Sequence, residues 1–195
     1  MMSKSNQLEI VLASASPRRK QLLEQLGFQV RVYPSAFIEE RPPDQNFITH
    51  VRDMARKKAL PAAHAFPDDL IIAADTLVIL ENEPLGKPTD AAEAVTMLRR
   101  LSDRWHQVVT GFCLMKQTEQ VQIIDHATTD VHFYPLTANE IDDYVLTGEP
   151  LDKAGAYGIQ GLGAKFVQEV RGCYFNVVGL PIGMVWQHLK TLTGD

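Results

Sequence analysis

The chain has 195 residues, of which 45% are hydrophobic and 22% charged, and a formal net charge of -5. That composition is a folded globular protein's, with a core to bury; it argues against a disordered chain and against a strongly basic duplex-binding domain. The two cysteines, Cys113 and Cys173, lie far apart without C-x-x-C spacing, which disfavours a disulfide framework or zinc site and fits a reducing cytoplasm.

Ala13-Ser14-Ala15 imitates a signal-peptidase site, but the apolar run from Ile10 to Leu12 is too short for a signal peptide. No stretch approaches the ~20 apolar residues that span a bilayer. Repeats and linkers are absent, so residues 1–195 read as one domain.

In chain order, residues 8–13 (LEIVLA) read as a buried strand. Ser16 then suits an N-cap and Pro17 the first helical position, with Leu22, Leu23 and Leu26 as an apolar stripe and Gly27 as the stop. Residues 28–33 alternate as a second strand, and 45–65 read as a helix capped by Asp44. Residues 70–74 (LIIAA) form a buried strand that ends at Asp75, and 77–80 continue extended. Glu81-Asn82-Glu83 reads as a turn, Gly86-Lys87-Pro88 as a loop, and 90–101 as a helix capped by Thr89. Residues 105–115 and 121–134 read as a long hairpin. Thr137 and Glu140 have capping-box spacing for a helix that stops at Gly148. A glycine-rich loop (152–163), a strand (165–171) and an amphipathic helix from Pro181 complete the chain. Alternating strands and helices interrupted by a hairpin predict an α/β fold with a mixed, twisted sheet flanked by helices.

Four features carry chemistry. At the strand–loop–helix Ser14 to Arg19, a helix N-terminus, the hydroxyls of Ser14 and Ser16 and the guanidinium forks of Arg18 and Arg19 gather where a phosphate can sit. It is not a Walker loop, because G-K-[ST] is missing. Asp75, after an apolar strand, can ligate a hard cation or take a proton from water, and Glu39 and Glu40 are acidic companions that could share Mg²⁺ with substrate phosphates. Lys58 and Lys87 offer point charges for a triphosphate, although taken singly each is the kind of lysine that coats a surface. In the glycine loop, Gln160 carries both donor and acceptor and can read a base edge, while Tyr157 can stack or pack. The six histidines share no ligand spacing, and Trp105 and Trp186 read as packing residues.

L-A-S-A-S-P-R-R at 12–19, A-R-K-K-A at 55–59, A-D-T at 74–76, G-K-P at 86–88 and D-K-A-G-A-Y-G-I-Q-G at 152–161 together resemble the Maf family of nucleotide pyrophosphatases, in the family's order over nearly the whole chain. The resemblance implies a fold like that of inosine triphosphate pyrophosphatases, with a cleft between two lobes. It also implies hydrolysis of a nucleoside triphosphate to monophosphate and pyrophosphate with a divalent cation, Mg²⁺ or Mn²⁺. Asp75 matches the family's proton acceptor, and Ser14, Arg19, Lys58 and Lys87 match its phosphate-handling positions. The family's upstream glutamate, a metal ligand beside Asp75, falls at Glu40 by motif and at Glu39 by spacing, with Glu40 preferred. Arg18, Thr76 and Gln160 match the branch acting on dTTP and UTP; a 7-methyl-GTP branch carries tryptophan, glutamine and glutamate there. The resemblance further implies a cytoplasmic house-cleaning enzyme, often dimeric. The rival readings are a 7-methyl-GTP pyrophosphatase and a non-catalytic nucleotide-binding regulator of cell division.

Overall fold

A computed structural model describes residues 9–35 and 46–193. Glu39, Glu40 and the expected cap Asp44 lie outside these. The elements run β1 (Glu9–Leu12), α1 (Pro17–Gln25), β2 (Gln29–Val32), α2 (Phe47–Ala65), β3 (Leu70–Leu80), β4 (Glu83–Leu85), α3 (Ala91–Leu101), β5 (Trp105–Lys116), β6 (Val121–Phe133), α4 (Ala138–Leu146), β7 (Val167–Arg171), α5 (Tyr174–Val178) and α6 (Ile182–Thr193). One mixed sheet holds the strands in the order β2-β1-β3-β5-β6-β7, with β4 also on β3. β1 is parallel to β2 and β3, whereas β5, β6 and β7 follow β3 antiparallel. The expected α/β class with a mixed sheet is therefore what the chain forms. No helix among the described residues is long and apolar enough to cross a membrane.

Local chemistry accounts for most boundaries. Ser16 caps α1 with Pro17 in the first turn, and Gly27 beyond its end takes φ +89°. Thr137 and Glu140 close a full capping box on α4. Glu81 and Asn82, both at positive φ, make the two-residue turn that folds β4 back on β3.

Three expectations are corrected. Asp90, not Thr89, caps α3, because its carboxylate accepts the Glu93 N–H at 2.8 Å, while Thr89 donates its hydroxyl and backbone N–H to the Glu93 carboxylate. The described cap of α2 is Asn46, in the left-handed conformation, whose side chain accepts from Thr49. Most consequentially, the strand does not end at Asp75. β5 pairs with β3 from Ile71 to Ile79, so Asp75 lies in mid-strand opposite Gly111.

The other edge of β3 is covered unevenly. β1 pairs with it as far as Ile72, and β4 takes over at Val78. From Ala73 to Leu77 no strand among the described residues covers that edge, and here the cleft opens.

Each face of the sheet has its own packing. On one face β1, β3 and β5 meet α1, α3, α4 and α6 in the main core, with Ile72, Ala74, Val78 and Leu80 contributed by β3. On the other, Ile71 and Ala73 pack under Ala55, Ala59, Ala62 and Ala63 of α2, and Leu77 and Ile79 pack with Val51. The alanines let α2 lie close to the sheet, and Gly111 allows the closest approach: a Cβ there would run into the backbone of Val51. Gly111→Ala should lower stability by about 3 kcal/mol through this overpacking, read as a reduced urea midpoint with an unchanged m-value.

Candidate active site

A cavity of about 1000 Å³ opens over the stretch of the β3 edge that no described strand covers. It is lined by Ser14, Ser16, Arg18, Arg19, Lys58, Asp75, Thr76, Lys87 and Gln160. Every described residue assigned to the site from sequence therefore comes to one cleft. Glu40 lies outside the described residues.

The expected phosphate seat is built at the β1–α1 turn. Ser14 is almost fully buried, and its Oγ accepts from the Ser16 N–H at 3.2 Å and from Arg19 Nη1 at 3.0 Å. Arg19 reaches further: Nε donates to the Gly179 carbonyl at 2.8 Å and Nη2 to Thr76 Oγ1 at 3.0 Å. Three oxygens from three parts of the chain thus set the plane of one guanidinium. Arg19 and Thr76, read from sequence as a phosphate ligand and a specificity residue, are bonded to each other.

Asp75 and Lys58 form the second cluster. Lys58 Nζ lies 2.6 Å from Asp75 Oδ1, with both residues buried. The strand's alternation turns Asp75 toward α2 between Ala73 and Leu77, and Lys58 descends from the helix to meet it. A carboxylate there needs a cation, since an unpaired buried charge costs several kcal/mol.

The opposite wall is the segment 149–163, which folds into short 3-10 turns at Glu149–Asp152, Ala154–Ala156 and Leu162–Phe166 instead of an irregular loop. Four anchors hold it. Gly155, at φ +68° and tight against Val78, donates to the Gly86 carbonyl at 3.0 Å, which ties the loop to the turn bearing Lys87. Glu149 accepts from the Leu162 and Gly163 N–H groups and from the Tyr144 hydroxyl. Burial pushes its carboxyl up, but these bonds outweigh it and hold the group below the usual range. Asp152 pairs with Lys153 at 2.6 Å and, across the cleft, with Arg18 at 3.4 Å. Tyr157 is buried in the main core, its hydroxyl 2.9 Å from His106 Nε2.

Sequence reasoning missed His106, Glu149, Thr110 and Asn176. None carries a local signal; His106, Thr110 and Asn176 matter through partners distant in the chain, and Glu149 through bonds that close its own segment. Trp105 and Trp186 are packing residues as expected, Trp105 under Arg171 and beside His132, Trp186 beside Phe28.

The family model described as Maf-like protein matches residues 9–192. The chain belongs to the Maf family. Among curated relatives in it, a protein of Halalkalibacterium halodurans named dTTP/UTP pyrophosphatase is 48% identical over 181 residues, covering 93% of this chain and 94% of that one. A protein of the same name from Aquifex aeolicus is 43% identical over 185 residues, covering 95% and 96%. Among solved structures, the Ham1 protein of Staphylococcus aureus aligns with a TM-score of 0.49 at 18% identity, covering 82% of this chain and 79% of that one.

Two stability predictions follow from this Maf-family cleft. Lys58→Met should cost about 3 kcal/mol by stranding the Asp75 carboxylate, and adding Asp75→Asn should recover part of that loss; urea unfolding of the single and double variants checks it. Burial holds the His106 imidazole down at about 4 against an ordinary 6.5. Between those values the unfolded chain takes up a proton that the folded one excludes, so stability falls as pH falls through the window. The loss should reach about 3 kcal/mol between pH 7 and pH 4. Comparison of wild type with His106→Gln across that range isolates it.

Proposed function

We propose that this chain hydrolyses dTTP and UTP to the nucleoside monophosphate and pyrophosphate. The observation that carries the reading is the convergence on one cleft of a cationic phosphate seat, a buried carboxylate and a glutamine-bearing loop. The names of the relatives point to the same substrates.

In this reading the triphosphate lies along the turn from Ser14 to Arg19. The N-terminus of α1 and the Arg19 guanidinium face its oxygens, and Lys58 and Lys87 add charge. Asp75 accepts the proton of the attacking water as oxygen bonds to phosphorus, and Lys58 fixes the orientation of that carboxylate. As the bond to pyrophosphate breaks, charge develops on the leaving oxygens, and the cationic seat stabilises it. Gln160 supplies an adjacent donor and acceptor, the pattern that pairs with the carbonyl and N–H of uracil or thymine. Arg18, held by Asp152, stands at the rim between seat and loop.

Mg²⁺ or Mn²⁺ fits this donor set. Asp75 and Asp152 are hard oxygen donors on the cleft. That suits an ion held by one or two carboxylates and substrate phosphates. Asp75 would hold it, with Glu40 as the proposed second carboxylate, and the ion would neutralise phosphate charge when bound. Lone thiols, Cys113 and Cys173, are compatible with the proposed cytoplasmic setting, where the reaction would clear pyrimidine nucleotides before polymerases use them.

Pyrophosphate release from dTTP, UTP, CTP, GTP and 7-methyl-GTP with Mg²⁺ or Mn²⁺ tests the proposal. dTTP and UTP should be preferred, Asp75→Asn should lower kcat by at least about 100-fold, and Gln160→Glu should cut pyrimidine kcat/KM by about tenfold. A preference for 7-methyl-GTP would sink the substrate assignment. Absence of turnover with every nucleotide would sink the enzymatic reading.

A further inference from the structure

Beneath the cleft, a chain of buried hydrogen bonds runs from Arg19 away from solvent. Thr76 Oγ1 lies 2.9 Å from Thr110 Oγ1, and Thr110 Oγ1 donates to the Asn176 carbonyl at 3.2 Å. Thr110 and Asn176 are fully buried and stand outside the cavity lining. The direction of the chain follows from counting hydrogens. A carbonyl only accepts, so Thr110 spends its one hydroxyl hydrogen on Asn176. Thr76 therefore supplies the hydrogen between the two threonines, at 2.9 Å in preference to the Gly179 carbonyl at 3.5 Å. The Thr76 oxygen is then aimed as an acceptor at Arg19 Nη2.

Asn176 anchors the far end. Its Nδ2 donates to the Val108 carbonyl and to Thr129 Oγ1, both at 2.9 Å. Thr129 in turn donates to the Cys173 carbonyl and accepts the Cys173 N–H, each at 3.1 Å. These bonds pin the segment 173–179 to β5 and β6. The same segment presents the Asn176 carbonyl to Thr110 and, at φ +119°, the Gly179 carbonyl to Arg19 Nε.

We infer that Thr110 and Asn176 are positioning residues, which hold the Arg19 guanidinium in the phosphate seat through Thr76 and the Gly179 carbonyl. The inference rests on the proposed pyrophosphatase reading for what Arg19 then grips. It also gives Thr76 a route to the substrate through Arg19 that needs no contact with the base.

The test is a kinetic cycle on dTTP with Thr110→Val, Thr110→Ser and Arg19→Lys, each checked by thermal unfolding. Thr110→Val should lower kcat/KM about tenfold, by leaving Thr76 without its acceptor and Arg19 without its aim. Thr110→Ser, which keeps the hydroxyl, should recover all but about threefold of it. In the Arg19→Lys background, Thr110→Val should cost less than about twofold more. An equal penalty in both backgrounds, or no penalty in the first, overturns the inference. If Thr110→Val does not fold, Thr110→Ala carries the same cycle. The Arg19 Nε–H resonance in ¹⁵N NMR gives a readout independent of turnover. It should exchange slowly in wild type and faster in the Thr110 variant, and an unchanged signal overturns the inference. If wild type hydrolyses no nucleotide, the functional reading fails alone and the resonance still decides the positioning.

Discussion

A carboxylate in the middle of a buried strand is the constraint from which the rest of this molecule follows. Asp75 occupies the α2 face of β3 between Ala73 and Leu77, where neighbours on either side are apolar. Its charge is tolerable only with a cation at bonding distance, and Lys58 at 2.6 Å provides it. That requirement fixes the height and register of α2 over the sheet. A helix must come near enough for a lysine to reach the strand. The alanine face of α2 and the bare backbone at Gly111, which is paired with Asp75, are what permit the approach. Packing and chemistry are one problem at this position: the contacts that close the core also set the orientation of the proposed proton acceptor.

The two ends of the cleft are held by different physics. The proposed phosphate end rests on a strand and the start of a helix, where Arg19 donates hydrogen bonds to three segments of the chain. The proposed base end is a glycine-rich wall that has no ladder of its own. It borrows rigidity from a buried tyrosine, a carboxylate that caps loop N–H groups, and a backbone bond to the turn bearing Lys87. Regular structure gives the proposed reacting groups the more exact placement, while a loop can change its proposed base-reading residue without disturbing the sheet.

What was legible in the sequence was what neighbours in the sequence cause. Ser16 and Pro17 start α1, and Thr137 and Glu140 start α4, because the atoms that satisfy those helix ends lie within a few residues. Where two adjacent residues could each do the job, as with Thr89 and Asp90, backbone geometry decided, and composition carries no trace of it. The residue types of the site were legible too, and nine of the expected residues line one cavity. Their relations were not. Asp75 reads as the end of a strand because charge ordinarily ends an apolar run; that the strand continues depends on β5 and on Lys58, remote in sequence. Thr110, Asn176 and His106 look like ordinary residues in apolar stretches, since what singles them out is a partner on another element.

The topology of β3 joins these pieces. Side chains alternate along a strand, so Asp75 and Thr76 point to opposite faces of the sheet, one to Lys58 on α2 and the other to Arg19 on α1. In the interior of a fully paired sheet those two residues could not serve one site, because the neighbouring strands would separate the faces. Here β1 stops at Ile72 and β4 begins at Val78, and no strand among the described residues covers the edge between them. A ligand lying across that edge can reach the carboxylate on one side and the arginine on the other. The register of β3 is therefore under a stricter demand than core packing alone sets. A slip of one residue would carry Asp75 into the main core and away from Lys58, and would withdraw the Thr76 hydroxyl from Arg19. The long pairing with β5, from Ile71 to Ile79, holds the strand against that slip along the whole stretch where no described strand covers the other edge.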